Sequence, residues 1–161
     1  MQRADTDPLH CVLKGRAKSG GRLNFNVRPL NHTLLMWPEY FPDRCPPSEA
    51  RTDSIEAFRL VGGAPPAPID FLPVLLEAPH RGFTPDKLCM ACGLSVFRTA
   101  ADAIRTKNRF KPLRSKVVAR GRIEPEDGLI LETGQPTHTT WWLQTASPQA
   151  RFTEVLDDVQ S

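Results

Sequence analysis

"GLSVFRTAADAI", residues 93–104, decides the fold class, because it joins a short strand pattern directly to the start of a helix. Residues 93–97 form a short apolar run that is typical of a strand. Thr99 and Asp102 lie three residues apart, the spacing of a capping box, in which a hydroxyl and a carboxylate satisfy free amides at a helix N-terminus. The pattern therefore predicts a strand followed at once by a helix over residues 99–107.

Further strand patterns lie on both sides of this junction. They are "AFRLV" at 57–61, "RSKVVARGRI" at 114–123, "GLILET" at 128–133 and "THTTWWL" at 137–143. The turn "EPEDG" separates the second from the third, so we expect these two to pair as a hairpin. Apolar residues alternate with cations in 114–123, which predicts one buried face and one basic face.

Two more segments have helical patterns. "IDFLPVLLE" at 69–77 indicates a short buried helix or turn, interrupted by Pro73. Ser147 and Pro148 suit a helix N-cap and first helical position. The apolar residues that would form one face of that last helix are Phe152, Val155, Leu156 and Val159. The sequence predicts an α+β fold: a small mixed or antiparallel sheet with two or three helices and an extended N-terminal arm.

The composition of the 161-residue chain changes near residue 53. Residues 1–53 are rich in proline and basic residues, which predicts a partly flexible arm with one apolar segment, "HTLLMWPEYF" at 32–41. Residues 54–161 contain the regular patterns and, at 108 residues, are long enough to form a globular domain with its own core.

The N-terminus and the cysteines bear on the compartment. "MQRADTDPLH" lacks the apolar region of a secretory signal, and no apolar stretch approaches the roughly 20 residues that span a bilayer. We therefore expect a cytoplasmic protein without membrane association. In that compartment the four cysteines are expected to be reduced thiols.

Cys89 and Cys92 form a CxxC motif with three interpretations. Two thiolates from one turn supply half of a tetrahedral zinc site, and His80 is the nearest further ligand. A redox pair is the second interpretation, although the motif precedes a strand pattern here instead of opening a helix. Because no second pair completes a ligand set, we favour the third interpretation, two structural thiols without a metal.

The net charge of +3 is unevenly distributed. Residues 98–122 contain nine Lys or Arg and one acid, whereas residues 123–161 contain seven acids and one base. The candidate phosphate-binding cations are Arg105, Lys107, Arg109, Lys111, Arg114, Lys116, Arg120 and Arg122. Alternate strand residues are about 6.6 Å apart, comparable to the spacing of backbone phosphates, so the segment predicts a surface for nucleic acid or a nucleotide. The alternative is that the acidic C-terminal part pairs with these cations inside the fold.

"THTTWW" places His138, Thr140 and Trp142 on one face of a strand. A histidine beside a tryptophan can bind a base by hydrogen bonding and stacking, and a histidine near hydroxyls can act as a general base. The alternative is a structural strand in which both tryptophans serve packing.

Arg59 is the one cation in the strand pattern "AFRLV". If its side chain points inward, it needs a partner, for which Asp70 or an anionic ligand are the candidates. If it points outward, it carries no functional information.

The order "FRLV", "PP" to "DF", "GLSVF", a basic segment and "HTTWW" resembles a group of small uncharacterised bacterial proteins. An early strand with an arginine, a serine-bearing strand feeding a helix and a later polar strand also look like small ADP-ribosyltransferase-like domains. That resemblance implies that Arg59 holds a phosphate of NAD, that Ser95 shapes the nicotinamide pocket and that His138 is catalytic. The family's late catalytic glutamate has no clear match, and Glu132 is the nearest residue.

Three functions follow from these observations. The leading hypothesis is a module that binds nucleic acid or a nucleotide through the basic segment. The enzyme alternative is an NAD-using transferase or toxin-like domain. The third is a structural protein that binds a protein partner through the arm, at Leu34, Leu35, Met36 and Trp37.

Overall fold

The computed structural model describes residues 37–134 and 137–156, and its centre is a six-stranded sheet. The strands are β1 (Ile55–Val61), β2 (Leu94–Phe97), β3 (Val117–Ile123), β4 (Gly128–Glu132), β5 (His138–Leu143) and β6 (Glu154–Leu156). Their order across the sheet is β4-β5-β2-β1-β3-β6, and every neighbouring pair is antiparallel. The predicted α+β class is confirmed.

Three helices accompany the sheet in the described residues: α1 (Val74–Glu77), α2 (Pro85–Ala91) and α3 (Ala100–Arg109). The N-cap predicted for α3 is present, because the Thr99 hydroxyl accepts the amide of Asp102 at 3.2 Å. The Asp102 carboxylate accepts the Thr99 hydroxyl at 2.7 Å, which differs from the carboxylate-to-amide bond of a capping box. Thr137, next to β5, donates to the same carboxylate at 2.7 Å. The hydrogen bonds from Thr137 and Thr99, together with nearby Arg105, lower the pKa of Asp102. They also attach the start of α3 to the sheet.

The sheet consists of two three-stranded halves that touch at one place. β1 and β3 pair along their whole length, from Ile55 opposite Ile123 to Val61 opposite Val117. In contrast, β1 and β2 share a single register pair among the described residues, Phe58 opposite Phe97. Because a single register pair joins β1 and β2, their pairing leaves room for a cavity between the halves.

Three apolar clusters hold these elements. The largest lies along β1, β2 and β3 and includes Trp141 and Phe152. The second lies under α3, where Ala103 packs with Phe58 and Phe97. The third is centred on Trp142 and reaches the segment before β1.

The hairpin predicted from residues 114–133 is wrong. β3 pairs with β1 and β6, whereas β4 pairs with β5. The turn Pro125–Asp127 separates them, and Asp127 is buried there in an ion pair with Arg151 at 2.8 Å.

The C-terminal helix is also wrong. Pro148–Arg151 form a single 3-10 turn, and the chain then becomes the edge strand β6. Phe152 is buried in the main cluster directly above Gly121, where a Cβ would lie 2.7 Å from the ring. Val155 packs on the main cluster and Leu156 on the cluster under α3, so the apolar residues serve two faces of a strand. Val159 lies outside the described residues.

The part of the predicted arm that the structure describes, from residue 37, is docked on the domain. Trp37 and Phe41 pack in the third cluster. Cys45 forms a disulfide with Cys89, which corrects the expectation of reduced thiols at these two positions. The rest of the arm, including Leu34, Leu35 and Met36, lies outside the described residues.

Candidate functional site

A cavity of about 410 Å³ has residues of both β1 and β2 in its lining. Its polar lining is contributed by Arg59, Asp70, Glu77, Ser95, Thr106, Lys116 and His138. Its apolar lining includes Leu72, Met90, Phe97, Phe110 and Leu113. Mostly apolar walls with a few convergent polar groups are typical of small-molecule sites, whose volumes are about 300–1,000 Å³.

Arg59 lies at the base of this cavity and is 8% exposed. Its Nε and Nη2 donate to the carbonyl oxygen of Asp70 at 2.8 and 2.6 Å, and its Nη1 donates to the carbonyl oxygen of Ser95 at 2.7 Å. The guanidinium therefore bridges the gap between β1 and β2. Burial lowers its pKa to about 10, against the raising effect of Glu77 and Asp70, so it stays charged at neutral pH.

No carboxylate of the described residues bonds the Arg59 guanidinium, which contacts two backbone carbonyls and, at 5.3 Å, the Phe71 ring. Three of the five N–H donors of a guanidinium are used by these carbonyls, which leaves two donors. The inward orientation considered from the sequence is therefore correct. The partner is the backbone of Asp70 and not its carboxylate.

The Asp70 carboxylate has a different task. It accepts the amides of Gly62 at 2.7 Å and of Ala67 at 3.0 Å, and it lies 3.8 Å from Nζ of Lys116. These contacts close the "GGAPPAP" loop after β1 and hold a second cation beside the cavity. Lys116 is thus the one member of the predicted basic row that lines this cavity.

Ser95 and His138 form a hydrogen-bonded pair, with 2.9 Å between Oγ and Nε2. The other ring nitrogen, Nδ1, lies 3.0 Å from the Thr133 hydroxyl, which in turn lies 2.7 Å from the Thr140 hydroxyl. Each hydroxyl can donate or accept, so either tautomer of the neutral ring keeps both hydrogen bonds. The ring also packs edge-on against Phe97.

The half-buried position of His138 lowers its pKa below the ordinary value of 6.5, through desolvation of the charged form. The imidazole is consequently neutral at pH 7 and can accept a proton from Ser95. A hydroxyl that acts as nucleophile or proton relay is activated by a base hydrogen-bonded to it, and a third group orients that base. Here the orienting group is the hydroxyl of Thr133.

A second cavity, of about 430 Å³, adjoins the first. Val74, Met90, Ser95 and His138 line both cavities, so the hydrogen-bonded pair lies between them. α2 carries Met90 and is held in place by the disulfide of Cys89 with Cys45. The indole of Trp142 also donates to the Cys89 carbonyl at 2.9 Å.

Four of the eight predicted phosphate-binding cations are paired with the protein's own carboxylates: Arg105, Lys116, Arg120 and Arg122. Arg120 contacts Glu56 at 2.6 Å and Glu154 at 3.3 Å, and Arg122 contacts Glu124 at 2.7 Å. Arg105 pairs with Asp102 at 2.9 Å. The two partners of Arg120 lie on β1 and β6, the strands that flank β3, which the linear charge pattern does not reveal. Arg122 and Arg105 pair with carboxylates two and three residues away in the chain. The expected open row of cations is not present.

The other candidates from this segment do not form a row either. Lys107 is buried, and Arg109, Lys111 and Arg114 are exposed around the end of α3. Arg109 lies 5.5 Å from the Phe110 ring, and Arg114 donates to the carbonyl of Asn108. Arg114 and Lys116 precede β3, which begins at Val117, so strand alternation does not align them with Arg120.

Trp142 and the CxxC motif also differ from their functional interpretations. Trp142 is 0% exposed, so its ring is not available for base stacking. Cys89 lies in α2 and is oxidised, Cys92 is a buried free thiol whose pKa burial raises, and His80 is exposed in the loop after α1. No group of three or more potential metal ligands occurs in residues 37–134 and 137–156.

Sequence reasoning missed two parts of the site. Glu77 lines the first cavity, whereas Glu132, the nearest glutamate by resemblance, is exposed at the end of β4 outside both linings. Thr133 contacts His138 only because β4 and β5 are antiparallel neighbours. The polar run "ETGQPTHTT" between these strands was the available signal.

Comparison of the chain with protein-family models, curated proteins and solved structures gives no match. Within the described residues, no helix is both long and apolar enough to cross a membrane.

Proposed function

We propose that the protein binds NAD in the first cavity and cleaves the bond between nicotinamide and ribose, passing the ADP-ribosyl group to an acceptor. The observation that carries this proposal is the convergence of Arg59, Ser95 and His138 on one cavity, although they come from three different strands. These are the three residues to which the ADP-ribosyltransferase-like resemblance gives roles. A small binding module without chemistry has no need of the Ser95–His138 pair.

The charges of the cavity suit the substrate. The two remaining donors of Arg59 and the ammonium of Lys116 would hold the pyrophosphate, since a guanidinium in a poorly hydrated site binds phosphate oxygens strongly. Glu77 lies in the same lining and would face the positive nicotinamide ribosyl group, where it stabilises the cation that develops as the bond breaks. Phe97 and Phe110 supply the apolar surface against which a flat ring can pack.

The reaction balances with water as the simplest acceptor. The ribose C1′–N bond breaks and its electron pair leaves with neutral nicotinamide, while a water oxygen donates an electron pair to C1′. One water proton passes to Ser95 as the Ser95 proton passes to Nε2 of His138. General-base assistance of this kind contributes about 10²–10⁴-fold in rate.

The proposal does not extend to nucleic acid. The pairing of Arg105, Arg120 and Arg122 with carboxylates weakens the electrostatic argument for binding a phosphate backbone, so nucleic-acid binding stays a prediction. The partner-binding role of the arm stays a prediction, because most of that segment lies outside the described residues.

Nicotinamide release from NAD, followed by liquid chromatography, tests the proposal. We expect turnover by the wild-type protein and a loss of about 10²–10⁴-fold in His138→Ala and in Ser95→Ala. His80→Ala is the matched control, because His80 is exposed and lines neither cavity. Absence of turnover in the wild type, or equal turnover in His138→Ala and His80→Ala, contradicts the proposal.

A further inference from the structure

We propose that the second cavity is the acceptor site and that it takes a phosphate monoester bearing a free hydroxyl. This inference rests on the proposed function, because it names the molecule that receives the ADP-ribosyl group. It concerns a different cavity with a different set of cations, so the two can be tested apart.

The position of the second cavity is the first argument. Ser95 and His138 line both cavities, so a molecule bound in each would meet the other at the hydrogen-bonded pair. Two substrates held on opposite sides of one base are in the arrangement that group transfer requires. A hydrolase that uses only water needs no second cavity of about 430 Å³.

The charge of the lining is the second argument. Arg81 and Lys87 line the second cavity, and no Asp or Glu of the described residues does so. The first cavity, by comparison, includes the carboxylates of Asp70 and Glu77. A concave surface lined by positively charged side chains raises the local concentration of an anion.

The neighbouring groups suit a phosphate more than a simple carboxylate. Arg81 lies 5.7 Å from the Phe83 ring, which keeps the guanidinium plane beside an apolar surface while its edge stays free for oxygens. Thr84 lies in the same lining, but its hydroxyl is hydrogen-bonded to the Asp86 side chain and is not counted as a donor here. An arginine fork and a lysine point charge together match the terminal oxygens of a phosphate monoester.

The transfer step balances in atoms and electrons. The C1′–N bond of the nicotinamide ribose breaks, and its electron pair leaves with nicotinamide. The acceptor hydroxyl oxygen forms the new bond to C1′, and its proton passes through the Ser95 hydroxyl to Nε2 of His138. The phosphate of the acceptor stays bound at Arg81 and Lys87 and takes no part in the bond changes.

Matched acceptors test this inference in the presence of NAD. AMP is compared with adenosine, and glycerol 3-phosphate with glycerol, with the ADP-ribosylated product measured by mass spectrometry. We expect at least tenfold more product from each phosphorylated acceptor, and we expect Arg81→Gln combined with Lys87→Gln to abolish that preference. Release of nicotinamide to water should be unchanged in this double variant, because neither residue lines the first cavity.

The control double variant is Lys111→Gln with Arg114→Gln, which removes two exposed cations from outside both linings. Equal product from phosphorylated and unphosphorylated acceptors, or the same loss in both double variants, overturns the inference while leaving NAD cleavage intact.

A second measurement decides the case in which the wild type does not cleave NAD. AMP and glycerol 3-phosphate are then titrated calorimetrically into the NAD-free protein. Binding at least tenfold weaker in the Arg81 and Lys87 double variant than in the control supports an anion site in the second cavity. Equal binding in the two double variants overturns it.

Discussion

Arg59→Lys tests how the divided sheet is held together. In the wild type three donors of one guanidinium bond two carbonyl oxygens, that of Asp70 after β1 and that of Ser95 on β2. A lysine ammonium donates from one nitrogen atom instead of three. We expect it to bond one of these two carbonyls while keeping the positive charge. The other carbonyl loses its bond in a buried environment, which costs about 1–3 kcal/mol.

The assay is equilibrium unfolding in urea. A loss of about 2 kcal/mol with a slope of about 2 kcal/mol per molar urea lowers the midpoint by about 1 M. NAD should raise the midpoint of the wild type, because a ligand that binds only the folded state stabilises it, and should raise that of Arg59→Lys less.

Arg120→Lys is the matched control for Arg59→Lys. Arg120 is also a strand arginine, but its side chain is 45% exposed and paired with Glu56 and Glu154, pairs that a lysine can keep. We expect its midpoint to equal that of the wild type. Equal midpoints for Arg59→Lys and the wild type would refute the reasoning, since the guanidinium would then not join the two halves of the sheet.

Three other outcomes follow from the structure. Nicotinamide release should fall as the pH drops through the pKa of His138, which burial places below 6.5. The residual activity of His138→Ala should lack this decrease at low pH. An unchanged decrease in that variant would assign it to another group. Gly121→Ala should lower the free energy of unfolding by about 1–3 kcal/mol, because its Cβ would lie 2.3 Å from the Arg151 carbonyl oxygen. Gly63→Ala, with nothing within 4 Å, is its control in the same urea titration, and equal midpoints would contradict the close approach. Cys45→Ser should lower the free energy of unfolding by about 2–5 kcal/mol through loss of its disulfide, and the wild type with reductant should match it; a wild type insensitive to reductant would show that the bond is not formed.

Local patterns predicted the elements that depend on short spacings. Short-range sequence patterns and one helix N-cap predicted the α+β class, the strands β1, β2 and β5, and the start of α3 at Thr99. These signals are sufficient because neighbouring residues in the chain determine burial alternation and the bonds of a helix N-terminus. Arg59 and His138 were singled out as polar residues in strand patterns, whereas Ser95 came only from the resemblance to ADP-ribosyltransferase-like domains.

The sequence did not show which strands pair with each other. Residues 114–133 read as a hairpin, yet β3 and β4 lie at separate places in the sheet, and the last apolar residues form an edge strand instead of a helix. An apolar residue does not specify which strand it packs beside, so both pairings satisfy the same pattern.

The amino-acid sequence by itself determined which residues could be buried, where helix and strand begin, and which side chains have chemistry to offer. Only the tertiary structure decided that Arg120 meets Glu56 and Glu154, that Cys89 bonds Cys45, and that Ser95 and His138 lie between two cavities. The physical reason is distance along the chain. Contacts between residues tens of positions apart depend on how the whole sheet is ordered, and the free energy that selects this order is distributed over all three apolar clusters.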